Sequence, residues 1–351
     1  KLLLLSATPL YNNHQEIVEL MNLCRLNDKR PLVSLSSIFN KGNAIDNEKL
    51  NALTRGYISY VRGEDPRIFP LPLFPKSKIN DKSTLFKYEQ LKSIIICVSP
   101  LSSLQYKLLK PRMKTSDIDS SKRMISSFVF GKKNNTSISF DNKSFHSVFR
   151  SKNLKPPFRQ PLTFPEGSIF NKKNLSIYCP KYATLLHHIE RCKGIVFVYT
   201  EYMATGAYSI AMMLEQNGFS RHQLQEPILQ NPTETKKKNA GTYILFDSSS
   251  QSEISQLLAE INSTSNKDGR NVKVVIGTKR IEQGISFKNV RQIHLMTPWF
   301  NMNRMKQVIG RGIRTYSHQA LPVEKRNVTI FYHVARYSHS NGTIMSSDED
   351  M

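Results

Sequence analysis

Acidic residues are scarce in this chain: 27 Asp and Glu stand against 50 Lys and Arg, a formal net charge of +23 in 351 residues. So large an excess implies an anionic partner, most simply nucleic acid, although charge alone leaves a membrane surface open. Long hydrophobic runs are missing as well. No apolar stretch approaches the roughly 20 residues of a membrane-spanning helix. The leucines at 2–5 are too few for a signal peptide, and no small-residue cleavage site follows them. Cysteine is sparse: Cys24, Cys97, Cys179 and Cys192 form no C-x-x-C pair or other metal spacing. Reduced, buried thiols in an intracellular protein are the expected state. No Ser/His/Asp arrangement and no metal-ligand cluster can be argued. His187 and His188 lie beside an apolar stripe and read as packing or surface residues.

The charge is unevenly spread. Residues 76–175 hold 20 Lys and Arg against 6 Asp and Glu, which is 14 of the 23 net positive charges. Within that stretch, residues 111–174 are dominated by Ser, Asn and Lys, with apolar residues scattered without period. Such composition buries too little surface to offset ordering entropy, so a basic insertion or flexible linker is expected. Phe128, Phe130, Phe140, Phe145 and Phe149 interleave there with basic residues. They suit either base stacking or a local hydrophobic cluster.

Elsewhere the patterns are regular. Leu2–Leu5 read as a buried strand. Asn13 and Glu16 have the spacing of a helix-capping pair, and Ile17, Leu20, Met21 and Cys24 then form one helical stripe. Residues 58–61 suggest a short strand, and prolines 66, 70, 72 and 75 an extended connector. Residues 94–98 read as a strand and 103–109 as a short helix. From 176 onward strands and helices alternate. Strands are expected at 195–199, 243–246, 272–276, 292–296 and 328–332, with helices at 182–190, 205–216 and around Ile254–Ile261. Alternation of this kind predicts a parallel sheet covered on both faces, with its sites at the carboxyl ends of the strands.

The most informative stretch is Gln307-Val308-Ile309-Gly310-Arg311-Gly312-Ile313-Arg314, a Q-x-x-G-R-x-x-R pattern. Two arginines three apart are expected on one helix face, and guanidinium groups grip phosphate oxygens in a planar fork. Two further runs precede it in order. Lys1–Pro9 is an apolar run ending in S-A-T-P, and Val274-Val275-Ile276-Gly277-Thr278 leads through Lys279 to Gly284, Ile285 and Ser286. The ordered set resembles motifs III, V and VI of superfamily 2 helicases and translocases, over roughly residues 1–30 and 176–336. Pro298-Trp299-Phe300-Asn301 resembles the W-N segment of the Swi2/Snf2-like branch. Arg62-Gly63-Glu64-Asp65-Pro66 and the Gly310–Arg314 phrase resemble helicases of large cytoplasmic DNA viruses, of the poxvirus phosphohydrolase and early-transcription-factor type.

The resemblance implies an α/β fold. Residues 1–75 would be the end of a first RecA-like lobe, 76–175 a basic, partly disordered insertion, 176–336 the second RecA-like lobe, and 337–351 a polar tail. It implies ATP and Mg2+ as cofactors and arginine-finger roles for Arg311 and Arg314. Gln307 would lie at the interface of the ATP site and the lobes, and Gly284 would let the backbone approach the nucleotide. Thr278, Ser6, Thr8, Tyr199 and Thr200 would contact nucleic acid, with DNA favoured over RNA and both left open. At Ser286 the chain departs from the pattern, since many members of that family carry an acidic residue near this position.

No G-x-x-x-x-G-K-[ST] occurs; Gly131-Lys132-Lys133 lacks the preceding glycine and the hydroxyl residue. No D-E-x-[DH] follows an apolar strand, since Asp348-Glu349-Asp350 sits in a polar stretch. The phosphate-cradling loop and the carboxylate that holds Mg2+ are therefore expected upstream of Lys1, and the chain on its own is expected to be inactive. RNA polymerase or other transcription proteins are possible partners by resemblance, with a viral factory, a virion or the nucleus as location and no membrane. Two alternatives stand beside this reading: a non-catalytic nucleic-acid-binding subunit that keeps a helicase-like lobe, and a duplex-DNA translocase that does not unwind, which Trp299-x-Asn301 favours.

Overall fold

The computed structural model describes residues 2–6, 10, 13–39, 45–59, 65, 67–75, 96–112, 120–131, 138–149, 155–159, 168–230, 240–247, 251–281, 284–299, 301–338 and 344–346. The chain forms two compact units, Lys1–Asp65 with Asn301–Gln307, and Pro66–Phe300 with Val308–Met351.

The first unit opens with three helices, α1 (Glu16–Asn27), α2 (Leu35–Ile38) and α3 (Asn47–Thr54). The Asn13 amide donates to Glu16 Oε1 at 3.3 Å, and the Asn13 side chain accepts from the Gln15 amide at 3.1 Å. The expected pair thus tightens the helix start, although the N-cap position itself is Gln15. Val18 and Met21 bury against Ile38, Phe39 and Leu53, with Ile17 and Leu20 at the edge of that cluster. Asp46 caps α3 by accepting from the Lys49 amide at 3.1 Å.

The leucines at 2–5 correct one expectation. They belong to no strand and lie exposed, Leu5 at 85%. An apolar run becomes a buried strand only where a sheet edge accepts its amides and carbonyls, and none of the described residues pairs with it. Ile58 and Ser59 likewise form no strand, while 60 and 61 fall outside the described residues.

The second unit is the α/β layer. In chain order it contains β1 (Leu71–Leu73), β2 (Ile96–Pro100), α4 (Ser103–Leu109), α5 (Ser120–Ser127), β3 (Phe130–Gly131), β4 (Ile138–Ser139) and α6 (Asn142–Val148). Next come α7 (Leu175–Tyr178), α8 (Pro180–Arg191), β5 (Ile195–Tyr199), a π-helical turn at Met203–Tyr208, and α9 (Ser209–Gln216). β6 (Phe219–Arg221), β7 (Gly241–Leu245), α10 (Gln251–Asn262), β8 (Val274–Gly277) and β9 (Val290–Leu295) follow. β10 (Asn327–Ser338) and β11 (Ile344–Ser346) complete this unit, and α11 (Met302–Ile309) falls mostly in the Asn301–Gln307 segment of the first.

Among the described residues nine strands share one sheet, with the path β1-β10-β9-β5-β8-β7-β6. β2 also pairs with β10, and β11 is the antiparallel member. The rest run parallel. The sequence of β5, I-V-F-V-Y, explains its central place. A continuous β-branched and aromatic run suits a strand buried on both faces, and every residue of β5 and β8 is buried. Val196 and Val198 face the cluster under α8 and α9. Phe197 alternates to the other face and meets Phe287 at 5.1 Å.

The basic stretch departs from its expected looseness where it is described. Phe128, Phe130, Phe145, Phe149 and Phe158 are wholly buried and join the main core with Phe170 and Tyr182. Phe128 meets Phe170 at 5.0 Å and Phe145 meets Phe158 at 5.0 Å. Of the two uses open to these rings, the structure selects packing over base stacking. The missing period has a simple cause: the rings come from separate short elements rather than one helix face. The C-terminal stretch expected as a polar tail also contains strand, since β10 runs to Ser338 and β11 pairs with it.

Two polar clusters are buried in this layer. Glu215 accepts from the amides of Ile228 and Leu229, both at 2.8 Å, and from Tyr243 Oη at 2.5 Å. Burial raises its carboxyl and these donors work against the rise. Between β9 and β10, His294 Nδ1 lies 2.8 Å from His333 Nε2, and His294 stacks on Phe331 at 4.4 Å. Burial holds both imidazoles well below the usual histidine range, and each feels a neighbouring positive or titratable group. His188 and His318 are lowered by burial too.

These depressed values set the sign of a pH response. Histidines of the unfolded chain take protons near about pH 6.5, while the folded ones stay neutral to lower pH. The unfolded state then binds more protons, so stability falls as pH drops below about 6.5. Urea midpoints measured near neutral pH and near pH 5.5 should show the lower value at the lower pH; a constant or rising midpoint would contradict the neutral histidine cluster.

Candidate functional site

Three loops leave the carboxyl ends of the central parallel strands, the position where such sheets place their ligand sites. Thr200 and Glu201 follow β5, Thr278 and Lys279 follow β8, and Met296 to Trp299 follow β9. Backbone hydrogen bonds hold the three ends level: the Thr200 amide donates to Gly277 O at 3.0 Å and the Met296 amide to Tyr199 O at 2.9 Å.

The expected nucleic-acid residues are placed unequally. Tyr199, Thr200 and Thr278 are buried, Thr200 completely. Tyr199 ends the buried strand β5 and Thr200 follows it, with both side chains packed inside. The Thr200 hydroxyl has no hydrogen-bond partner and lies against Gly206 in the π-helical turn. Ser6, in the other unit, is exposed, and Thr8 lies outside the described residues. At the β8 end the side chain that reaches solvent is Lys279.

Lys279 is one member of an ion network that the sequence reading missed. Its ammonium lies 2.5 Å from Glu201 Oε1, while the other Glu201 oxygen accepts from Arg123 of α5. The Glu201 amide donates to Thr297 Oγ1 at 2.8 Å. Arg123 is sandwiched: its guanidinium carbon is 4.0 Å from the Trp299 ring centre and 5.6 Å from that of Tyr202, both within cation–π range. Burial raises the Glu201 carboxyl, but Lys279 and Arg123 more than offset this and bring it below the ordinary carboxylate value. Glu201 is therefore ionised at neutral pH. Trp299 thus packs on Arg123. Asn301, from the same W-N phrase, accepts from the Asn303 amide at 3.0 Å and the Arg304 amide at 3.3 Å, as a helix cap does.

The arginine pair also differs in setting from its expectation. α11 ends at Ile309, and Arg311 and Arg314 fall in the turns beyond it rather than on one helix face. Gly310 and Gly312 have the poor helix propensity that ends the helix here. The turn is closed by Arg311 N–H to Val308 O and Gly312 N–H to Ile309 O, each 3.0 Å. Arg311 is half-buried and donates from Nη1 to Ile285 O at 3.2 Å, and its own carbonyl accepts from the Phe287 amide at 2.7 Å. This brings Arg311 to the Gly284 loop. Gly284 has φ +76° and open space where a Cβ would stand, a left-handed conformation suited to glycine. Arg314 is exposed and donates from Nε to Gly310 O at 2.9 Å. Its amide donates to Ser317 Oγ at 3.2 Å; Ser317 Oγ lies 2.8 Å from His318 Nδ1, and His318 Nε2 donates to Val290 O at 2.6 Å. The Arg314 turn is thereby tied to the start of β9. Gln307 lies on α11 and is partly exposed.

Such a surface can hold phosphate groups by charge. Among the described residues no cluster of His, Cys, Asp or Glu could hold a metal ion, and no helix is long and apolar enough to cross a membrane.

Residues 180–316 match the family described as the helicase conserved C-terminal domain. A protein of Acanthamoeba polyphaga mimivirus named as an ATP-dependent RNA helicase is 25% identical over 100% of this chain and 56% of its own length. A protein of Invertebrate iridescent virus 3 named as a helicase is 24% identical over 100% of this chain and 33% of its own. The early transcription factor large subunit homolog of African swine fever virus is 24% identical over 94% of this chain and 33% of its own. The chain thus spans between a third and about half of these relatives. Among solved structures, the C-terminal part of the Fun30 ATPase domain aligns with a TM-score of 0.36 at 13% identity, over 73% of this chain and 93% of that one.

The close approach at the β5 end gives a direct test of the packing. A Cβ at Gly206 would stand 2.3 Å from Thr200 Oγ1 and 3.0 Å from its Cγ2. Gly206→Ala should cost about 1–3 kcal/mol of stability by overpacking, although alanine is the better helix former. A denaturant midpoint equal to or above the native value would show that Thr200 has room to move.

Proposed function

We propose that this chain, whose residues 180–316 match the helicase conserved C-terminal domain, serves as the second RecA-like lobe of an ATP-driven superfamily 2 nucleic-acid helicase or translocase. The observation that carries the reading is the arginine turn after α11. Arg311 is fixed to the Gly284 loop through Ile285 O, while Arg314 keeps an exposed guanidinium on a turn anchored to β9. One arginine is thus positioned and the other accessible, as a site that meets a nucleotide held by another lobe requires.

ATP, when bound, supplies the phosphoryl group that is transferred to water. The residues of this chain fit one side of such a site: they bring positive charge to the γ-phosphate and a glycine that leaves the backbone open. Arg314 is the transition-state residue in this reading, Arg311 its partner, and Gln307 a neutral donor and acceptor one turn earlier. Mg2+ would be held by carboxylates outside these motifs. Nucleic acid would lie across the strand ends, met by Thr278 through its backbone and by the exposed cations around it. The relative named as an early transcription factor large subunit homolog supports a role in transcription by a large DNA virus, and the track in this reading is nucleic acid, DNA by the family resemblance.

The test uses the full-length protein. Arg314→Ala should lower ATP turnover by about a thousandfold or more, the scale of an arginine finger, with ATP affinity close to that of the native protein. Equal losses in affinity and turnover would remove the transition-state role. Nucleic-acid binding without any turnover in the native protein would favour the non-catalytic subunit instead.

A further inference from the structure

The ion network at the strand ends has an arrangement that binding alone does not require. Lys279 is the exposed cation beside Thr278, with 56% of its side chain open to solvent. Its ammonium is nevertheless already engaged by Glu201. The Glu201 carboxylate cannot swing away freely. It is 9% exposed, its second oxygen is held by Arg123, and Arg123, 4% exposed, is stacked on Trp299. The backbone of Glu201 is held as well, through its amide to Thr297 Oγ1. A buried anion held at three points therefore stands against an exposed cation.

We infer that Glu201 is an electrostatic gate on nucleic-acid binding: locked in place by Arg123, it masks Lys279, which becomes a phosphate-backbone contact only when the polyanion outcompetes the carboxylate. The ligand class is the phosphodiester backbone of a single or double strand. The inference rests on the nucleic-acid half of the proposed function and not on ATP turnover. It also gives α5, which lies outside the matched helicase domain, a part in setting how tightly the strand-end loops hold their track. Arg123 acts here as a positioning residue, since it reaches Glu201 and Trp299 and not the ligand.

The gate predicts an effect opposite to that of losing a structural ion pair. Removing the Glu201 charge should tighten binding. Glu201→Gln keeps the shape and an acceptor for Arg123 but releases Lys279. Lys279→Ala truncates an exposed side chain and leaves the fold intact. Affinity of the full-length protein for a labelled oligonucleotide, measured by anisotropy across a salt series, separates them. Glu201→Gln should bind about three- to tenfold more tightly, with a salt slope steeper by about one phosphate contact. Lys279→Ala should bind more weakly, and the double variant should match Lys279→Ala because nothing remains to unmask.

Glu201→Gln binding no tighter than the native protein, or a gain that persists without Lys279, would overturn the gate. A native protein that shows the predicted series but no nucleic-acid-stimulated ATP turnover would uphold the gate and remove the motor reading. Failure of the native protein to bind the oligonucleotide at all would overturn both.

Discussion

Burial of β5 and β8 on both faces is the constraint on which the rest of the molecule depends. Strands covered on each side have no room for charge along their length, because an unpaired buried charge costs far more than a packed side chain gains. Polar chemistry is pushed to the strand ends. In this chain Thr200, Glu201, Thr278, Lys279 and Thr297 all fall within a few residues of such an end. Parallel register then aligns those ends, since Tyr199 pairs with Gly277 on one side and with Leu295 on the other. The site is a consequence of the sheet's register before it is a consequence of any motif.

The same constraint explains why the charged residues there come as a network. Arg123 and Glu201 are almost completely dehydrated, and a pair in such a place holds only when geometry and extra partners compensate for lost water. Trp299 and Tyr202 supply the faces for the guanidinium, Thr297 holds the Glu201 amide, and Lys279 brings a second cation. The Arg311 and Arg314 turns follow a similar logic. Each guanidinium has a carbonyl to donate to, Ile285 O and Gly310 O.

Much of the layer was legible in the sequence. The I-V-F-V-Y and V-V-I-G runs, the alternation with helices and the placement of sites at carboxyl ends can be read from local pattern, because burial on two faces leaves a continuous apolar signature. What depends on distant partners could not be read. Arg123 sits in a Ser-rich stretch with no motif around it, and its acceptor is 78 residues further along the chain. Phe128, Phe130, Phe145 and Phe149 looked patternless because they enter the core from several short elements, the end of α5, β3 and α6 with its cap. Leu2–Leu5 carry a strand signature but meet no sheet edge among the described residues. Gly310 and Gly312 were visible, yet the helical spacing of the two arginines outweighed them in the reading, and the turn that results places Arg311 and Arg314 differently. Lys279 was the one legible omission, since it follows Thr278 directly.

The central claim is that the carboxyl ends of β5, β8 and β9 face the nucleic acid. Hydrogen exchange of the protein with and without a single-stranded oligonucleotide tests it most directly. Protection should concentrate in the segments that contain residues 200–203, 278–281 and 296–299. Protection confined to the basic stretch around residues 143–159, with those three segments unchanged, would contradict the account.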